Sequence, residues 1–434
     1  MFYSIKYEYK EPDMFRKKYF NIVQYRKLEK LAMLKDEPAI TATTRDHVLF
    51  LVVTVLYWAA LYTYIPILSP YLDSLDSGYV FAGIILGSYG FVQLLLRLPL
   101  GIASDRMKVR KPYIILGMLT GALSCFMFAV LPGLGWALAA RSIAGISAST
   151  WVAFTVLYAG YFSKSQTTKA MSQISFMTVC GQLVAMGLSG YLTDLWGWKA
   201  TFWAGAAVGF LGLVLALGIK EPRHGVDRDP IRIHDIKNVV RESRLIKVSV
   251  LSVLAHSVLF ITMFGYTPSH AVNLGATPGQ LSLLVFAFMI PHGLASLTSG
   301  QWLVPRIGIW PALLIGFIGA AICTACIPLL PNFLALTVTQ MFNGWFQGLY
   351  FPLFLSMALE PFETKLRATA MGFYQAVYSA GMFAGPFVAG GINAVTGLAG
   401  GFYLGGAAAF VAALLSFLWG IRKPSKSGSV SAGG

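Results

Sequence analysis

The chain alternates long apolar runs with short polar ones. Stretches of spanning length fall at 47–69, 79–103, 112–131, 134–160, 168–192 and 196–219. Each is long enough to cross a hydrocarbon core about 30 Å thick as a helix. A polar, basic segment at 220–246 interrupts them, and six more runs follow at 247–268, 280–303, 311–330, 333–358, 367–393 and 399–421. Turn formers such as Leu131-Pro132-Gly133 and Leu330-Pro331-Asn332 mark the joints. The pattern predicts an all-α membrane protein of twelve transmembrane helices. It divides the chain into an amino-terminal segment (1–46), a first six-helix bundle (47–219), a central loop (220–246), a second bundle (247–421) and a tail (422–434).

Composition leaves lipid as the solvent. Of 434 residues, 56% are hydrophobic and 12% charged, whereas a water-facing surface needs roughly twice that charge. The 44 glycines suit membrane helices, where small residues let backbones approach closely. A net charge of +15 invites a nucleic-acid reading, but the placement of the charge decides against it. With a cytoplasmic amino terminus, 30 of the 33 Lys and Arg fall inside, Lys199 alone falls outside, and Arg97 and Arg141 lie within spans. That is the positive-inside bias. It predicts a multi-pass protein of the cell (plasma or inner) membrane with both termini in the cytoplasm and no nucleic-acid partner.

The first 46 residues carry Arg16-Lys17-Lys18 and Arg26-Lys27 and lack the apolar centre of a cleavable signal peptide. They fit a short amphipathic surface segment, and equally a chain whose translation starts at Met33. Cys125, Cys180, Cys323 and Cys326 all fall in apolar runs. Cys323 and Cys326 have the spacing of a redox or metal pair. Their apolar neighbours, with no other Cys or His nearby, favour small buried hydrophobes. No metal or cofactor is expected.

The halves resemble each other. A shift of 200 positions superposes Gly181 on Gly381, Gly190 on Gly390, Gly197 on Gly397, Phe202 on Phe402 and Gly205 on Gly405. A neighbouring shift pairs Tyr64-x-Pro66 with Tyr266-x-Pro268. Two parallel six-helix pseudo-repeats are the plan of carriers whose bundles rock about a midplane site.

After the second span the chain reads Gly101-Ile-Ala-Ser-Asp105-Arg106-Met107-Lys108-Val109-Arg110-Lys111. This resembles the cytoplasmic signature loop of the major facilitator superfamily, G-x-x-x-D-R-x-G-R followed by a basic residue. Lys108 stands where the family has glycine, and the basic pair arrives one residue late. The second-half counterpart, Pro305-Arg306-Ile307-Gly308, lacks the acid. In the fourth span Arg141-Ser-Ile-Ala-Gly145 resembles the family's R-x-x-x-G segment, with Gln340-Met-Phe-Asn343-Gly344 as its shadow in the tenth. The resemblance runs from about 46 to 421 and implies transport by alternating access. It also implies a cytoplasmic gate latch at Gly101, Asp105, Arg106 and Arg110, and a binding or coupling role for Arg141. In that latch Gly101 permits close helix contact and Asp105 faces the positive end of a helix. Gly385-Pro386 is a candidate hinge in the eleventh span.

Ionisable groups inside a membrane are functional candidates, because a charge in hydrocarbon needs a cavity or a partner. All eighteen acidic residues lie in loops, tails or span ends. The interior groups are Arg97, Arg141, His256 and His292. Arg97 sits one turn before Gly101 on the same face and belongs to the site or to the gate. The histidines are coupling-proton carriers or satisfied bundle residues. The remaining candidates are the aromatic and amide side chains Tyr57, Trp58, Tyr62, Gln93, Gln173, Gln182, Asn343, Gln347, Gln375 and Tyr378. Two arginines with no carboxylate predict an electropositive cavity for a neutral or anionic organic solute. Proton-linked efflux by a monomer is the leading expectation, with uptake or facilitated passage of an organic anion as the alternative. A polytopic enzyme would need an acidic or His/Asp cluster on one aqueous side, which the short outer loops lack. No Walker-type loop is present to support ATP-driven transport.

Overall fold

The computed structural model describes residues 42–107, 109–162, 166–221, 239–362 and 366–421. The amino-terminal segment, most of the central loop and the tail lie outside them. The described residues form twelve long helices. In the first half these are α1 (Thr44–Asp73), α2 (Gly78–Met107), α3 (Lys111–Val130), α4 (Leu134–Ala159), α5 (Thr167–Trp196) and α6 (Trp198–Ala216). In the second they are α7 (Ser243–Asn273), α8 (Pro278–Ile307), α9 (Ile309–Leu329), α10 (Phe333–Leu359), α11 (Arg367–Thr396) and α12 (Leu398–Ile421). Because successive helices run in opposite directions, α1 begins and α12 ends on one face, called here the terminal face. The opposite one is the far face.

Local chemistry sets the ends and the breaks. α1 opens on a capping box in which the Thr43 hydroxyl accepts the Asp46 N–H and the Asp46 carboxylate accepts that of Thr43. Thr277 and Gln280 do the same for α8. α1 breaks between Tyr62 and Ile65, since Pro66 has no N–H to give the carbonyl of Tyr62. α7 breaks at the matching place, through a π-turn over Thr262–Tyr266 just before Pro268. The repeated Tyr-x-Pro is thus a repeated break. Gly197 and Gly397 join α5 to α6 and α11 to α12 at φ 78° and 73°, a region that favours glycine.

Packing follows the same repeat. Within the first half α1 packs on α5 and α6, α2 on α4, and α3 on α6; within the second α7 packs on α11 and α12, α8 on α10, and α9 on α12. The halves meet mainly along two helix pairs, α2 with α11 and α5 with α8, and α1 also touches α7 toward the end of α1.

Ten of the twelve helices are long and apolar enough to cross a membrane by length and composition; α10 and α11 fall short on hydropathy. The reason is visible in what they bury. α10 encloses Gln340, Asn343 and Gln347, and α11 carries Tyr374, Gln375 and Tyr378. Their polar groups point into the bundle instead of toward lipid. A groove of about 430 Å³ between α3 and α6 is walled by Leu119, Phe126, Trp203 and Phe210. These side chains are exposed and apolar, as a lipid-facing surface requires, so this groove is distant in character from the interior polar groups.

Candidate functional site

Two arginines define the interior. Arg141, two turns into α4, is 1% exposed. Its Nη1 donates to the Tyr64 hydroxyl at 3.1 Å, and its guanidinium carbon lies 4.2 Å from the ring centre of Tyr89 and 5.6 Å from that of Tyr64. Its Nε–H is buried without a partner. The break in α1 is what aims Tyr64 at it. A hydroxyl and two π faces hold a cation less firmly than a carboxylate does.

Arg97, 3% exposed on α2, reaches across the seam between the halves. Its Nη1 donates to the Tyr378 hydroxyl at 2.9 Å and to the Gln375 carbonyl at 3.3 Å, both on α11. Its Nη2 donates to the Ala148 carbonyl on α4 at 3.3 Å, and its Nε–H has no partner. The Tyr378 ring lies flat against His256, with centroids 4.2 Å apart and planes 3° from parallel. His256 Nδ1 is 2.8 Å from the Ser252 carbonyl, and Ser252 Oγ pairs with Tyr374 at 2.8 Å. Phe351 lies between the two histidines, 5.0 Å from His256 and 5.6 Å from His292.

The other sequence candidates separate into groups. Trp58 packs on Trp151 (5.0 Å) and Tyr62 (5.5 Å), and its indole N–H is unpartnered. Tyr62 meets Phe264 across the seam at 5.6 Å. Tyr57 donates to the Ser147 carbonyl at 2.6 Å and braces α4 near its break at Thr150. These three join the arginine region. Gln340, Asn343 and Gln347 form a ladder along α10, at 3.4 and 3.0 Å. Gln173 stands apart, accepting from Tyr158 at 2.9 Å.

Sequence reasoning passed over Tyr89, although a signal was there. Tyr89, Gln93 and Arg97 recur every four residues along an otherwise apolar span, which puts them on one helix face. Tyr89 lies under the Arg141 guanidinium, about two turns before Arg97 on the same helix.

The far face is closed. Asp194, at the end of α5, accepts the Gly279 N–H at the start of α8 at 2.7 Å. Ser269 on α7 donates to Asp73 on α1 at 2.5 Å. Tyr266 donates to the carbonyls of Tyr79 (3.3 Å) and Pro386 (3.2 Å), stitching α7 to α2 and α11. α11 runs through Gly385-Pro386 without a break, with Gly385 against the Ser257 backbone of α7. Asp194 is a carboxylate on a helix N-terminus, an arrangement worth on the order of 1 kcal/mol. Asp194→Asn is expected to shift the protein toward its far-open state about fivefold. The readout is the rate at which a membrane-impermeant maleimide, added from the far side, labels a cysteine placed at Phe264.

Toward the terminal face the bonds between the halves give out. Among the described residues, hydrogen bonds across it reach from the far face as far as Arg97. Gly101, Gly293, Gly300 and Gly372 all have open space where a Cβ would stand. The close contact expected at Gly101 is therefore not made in this conformation. The rest of the gate segment binds its own half. The backbone N–H groups of Arg110 and Lys111 donate to Glu221 beyond α6, and Arg110 Nη1 donates to the Ser104 carbonyl. The side chains of Asp105 and Arg106 lie outside the described residues.

Twelve helices in two pseudo-repeated bundles, joined along a seam that holds buried polar groups, define a two-bundle membrane carrier. The family model described as Major Facilitator Superfamily matches residues 50–273 and 248–434. The chain belongs to that superfamily.

It is 32% identical to a bicyclomycin resistance protein homolog of Haemophilus influenzae over 129 residues, which cover 29% of this chain and 32% of that one. It is 28% identical over 222 residues to the inner membrane transport protein YajR of Escherichia coli, covering 50% of this chain and 46% of that protein. The matches thus span about a third and just under half of those relatives. Among solved structures, the nucleoside transporter NupG aligns with a TM-score of 0.69 at 17% identity, covering 87% of this chain and 99% of its own. A bacterial homolog of the human lysosomal transporter Spinster, inward-facing and unoccupied, gives 0.72 at 14% identity, covering 87% and 97%. At these identities the likeness is one of fold.

Proposed function

We propose that the protein is a secondary transporter that exports a neutral or anionic organic compound by alternating access, linked to protons. In this reading it moves solute and performs no chemistry on it. The observation that carries the proposal is the pair of buried, carboxylate-free guanidiniums, Arg97 and Arg141, close to the seam between the halves. A cation would meet like charge there, and an anion would find the donors that the protein leaves unpartnered. The termini are taken as cytoplasmic from the charge bias, so a far face bonded shut, with no cross-seam bonds described beyond Arg97, supports an inward-facing conformation. His256 and His292, both against Phe351, are the candidates for the coupling proton. The resistance-protein relative favours efflux over uptake.

The test uses proteoliposomes loaded with an organic anion and given a pH gradient. Efflux accelerated by protons moving the opposite way is expected. Solute moving along with the protons would identify the uptake symporter instead. Transport of a permanently cationic dye that is lost on Arg141→Ala would remove the electropositive-site reading altogether.

A further inference from the structure

We propose that Arg97 is the carboxylate-binding group of the site and that its ligand is an aromatic carboxylate received on the Nε–Nη2 edge of the guanidinium. This rests on the transporter reading above and adds the ligand's chemistry to it.

The argument begins with how Arg97 is satisfied. A guanidinium carries five N–H donors and no acceptor. Nη1 spends its donors on the Tyr378 hydroxyl and the Gln375 carbonyl, and Nη2 reaches the Ala148 carbonyl. Nε–H, on the same edge of the group as Nη2, is buried with no partner. The neighbouring Gln375 side-chain oxygen is likewise buried and unpartnered. A buried charge left with a neutral hydroxyl, two carbonyls and two unused N–H donors is under-compensated. The edge formed by Nε and Nη2 is the fork that receives a carboxylate through two parallel hydrogen bonds. The groups now holding Arg97 are therefore weaker acceptors than a carboxylate would be.

The surroundings supply the rest of the ligand's chemistry. Tyr378 is stacked on His256, its ring centre 5.4 Å from the Arg97 guanidinium carbon, and Tyr89 is stacked on Phe260 across the seam at 6.1 Å. Flat rings on both halves favour a flat apolar body. A carboxylate on the Nε–Nη2 edge meets the side of Arg97 where the Ala148 carbonyl of α4 is the present acceptor, while Nη1 keeps its bonds to Tyr378 and Gln375 on α11.

The test is binding to the purified full-length protein, without a gradient, using three probes of one shape: benzoate, benzamide and benzylammonium. Benzoate is expected to bind at least tenfold more tightly than benzamide, and benzylammonium not to bind. Arg97→Gln should abolish the benzoate preference. The same variant should bind benzamide as the wild type does, a result that misfolding does not produce. Equal binding of benzoate and benzamide, or unchanged benzoate binding in Arg97→Gln, would each overturn the proposal. Such a result leaves transport of another solute in proteoliposomes intact, whereas absent transport with selective benzoate binding would sink only the transporter reading.

Discussion

Replacing Gly83 by leucine will hold the far face open and reduce transport at least tenfold. A Cβ at Gly83 would stand 2.5 Å from the Pro386 carbonyl oxygen, 2.9 Å from the Tyr266 hydroxyl and 3.1 Å from the Gly390 Cα. These three nearest atoms all belong to the second half. Gly390 returns the contact, with its own Cβ position 3.0 Å from the Gly83 Cα. Two glycines facing each other let α2 and α11 cross with backbones touching, the membrane form of close helix packing. A leucine side chain has nowhere to go in that crossing. Overpacking alone costs about 1–3 kcal/mol, and separating the helices also breaks the bonds Tyr266 makes to Tyr79 and Pro386, each worth about 1 kcal/mol. The far-closed state then becomes the minor one. The bundle itself should keep its melting temperature, because the clash lies between the halves. Impaired transport should therefore coincide with faster far-side maleimide labelling at Phe264→Cys. Wild-type transport in Gly83→Leu would show that the α2–α11 crossing need not close during the cycle.

The sequence announced this crossing only in part. Spacing of apolar residues located all twelve helices to within a few residues, because a hydrocarbon core sets helix length so strictly. The 200-residue repeat matched Gly197 with Gly397 and Tyr64-x-Pro66 with Tyr266-x-Pro268, and both pairs take matching backbone shapes. What the repeat concealed is that equivalent residues do different work. Tyr64 holds Arg141 inside its own half, whereas Tyr266 ties α2 and α11 across the seam. Contacts between halves depend on the rotation of one rigid bundle against the other, and no local pattern encodes that rotation. For the same reason the span ends Asp73 and Asp194 gave no hint that they close the far face. Arg97 was visible as an interior charge, but its partners on α11 lie some 280 residues away in the chain.

Arg141→Met is expected to leave folding nearly intact while reducing transport of an anionic solute about a hundredfold or more. The two effects separate because Arg141 contributes little to holding the bundle together. It is 1% exposed, faces no carboxylate, and is held by one hydroxyl at 3.1 Å and the rings of Tyr89 and Tyr64. Burying that charge opposes folding, and methionine of similar length removes the desolvation cost while filling the space. The Tyr64 hydroxyl loses its donor, a change of about 1 kcal/mol, so stability should move by little in either direction. Transport is different. Charge-assisted hydrogen bonds are worth about 1.5–3 kcal/mol each, and an anion that engages two donors of the guanidinium loses both. Arg141→Lys separates charge from geometry, because it keeps the cation without the planar fork and should recover only part of the rate. The measurement pairs a thermal melt of each purified variant with its initial rate in proteoliposomes. A methionine variant that melts normally and transports at the wild-type rate would move Arg141 from the transport path to the scaffold.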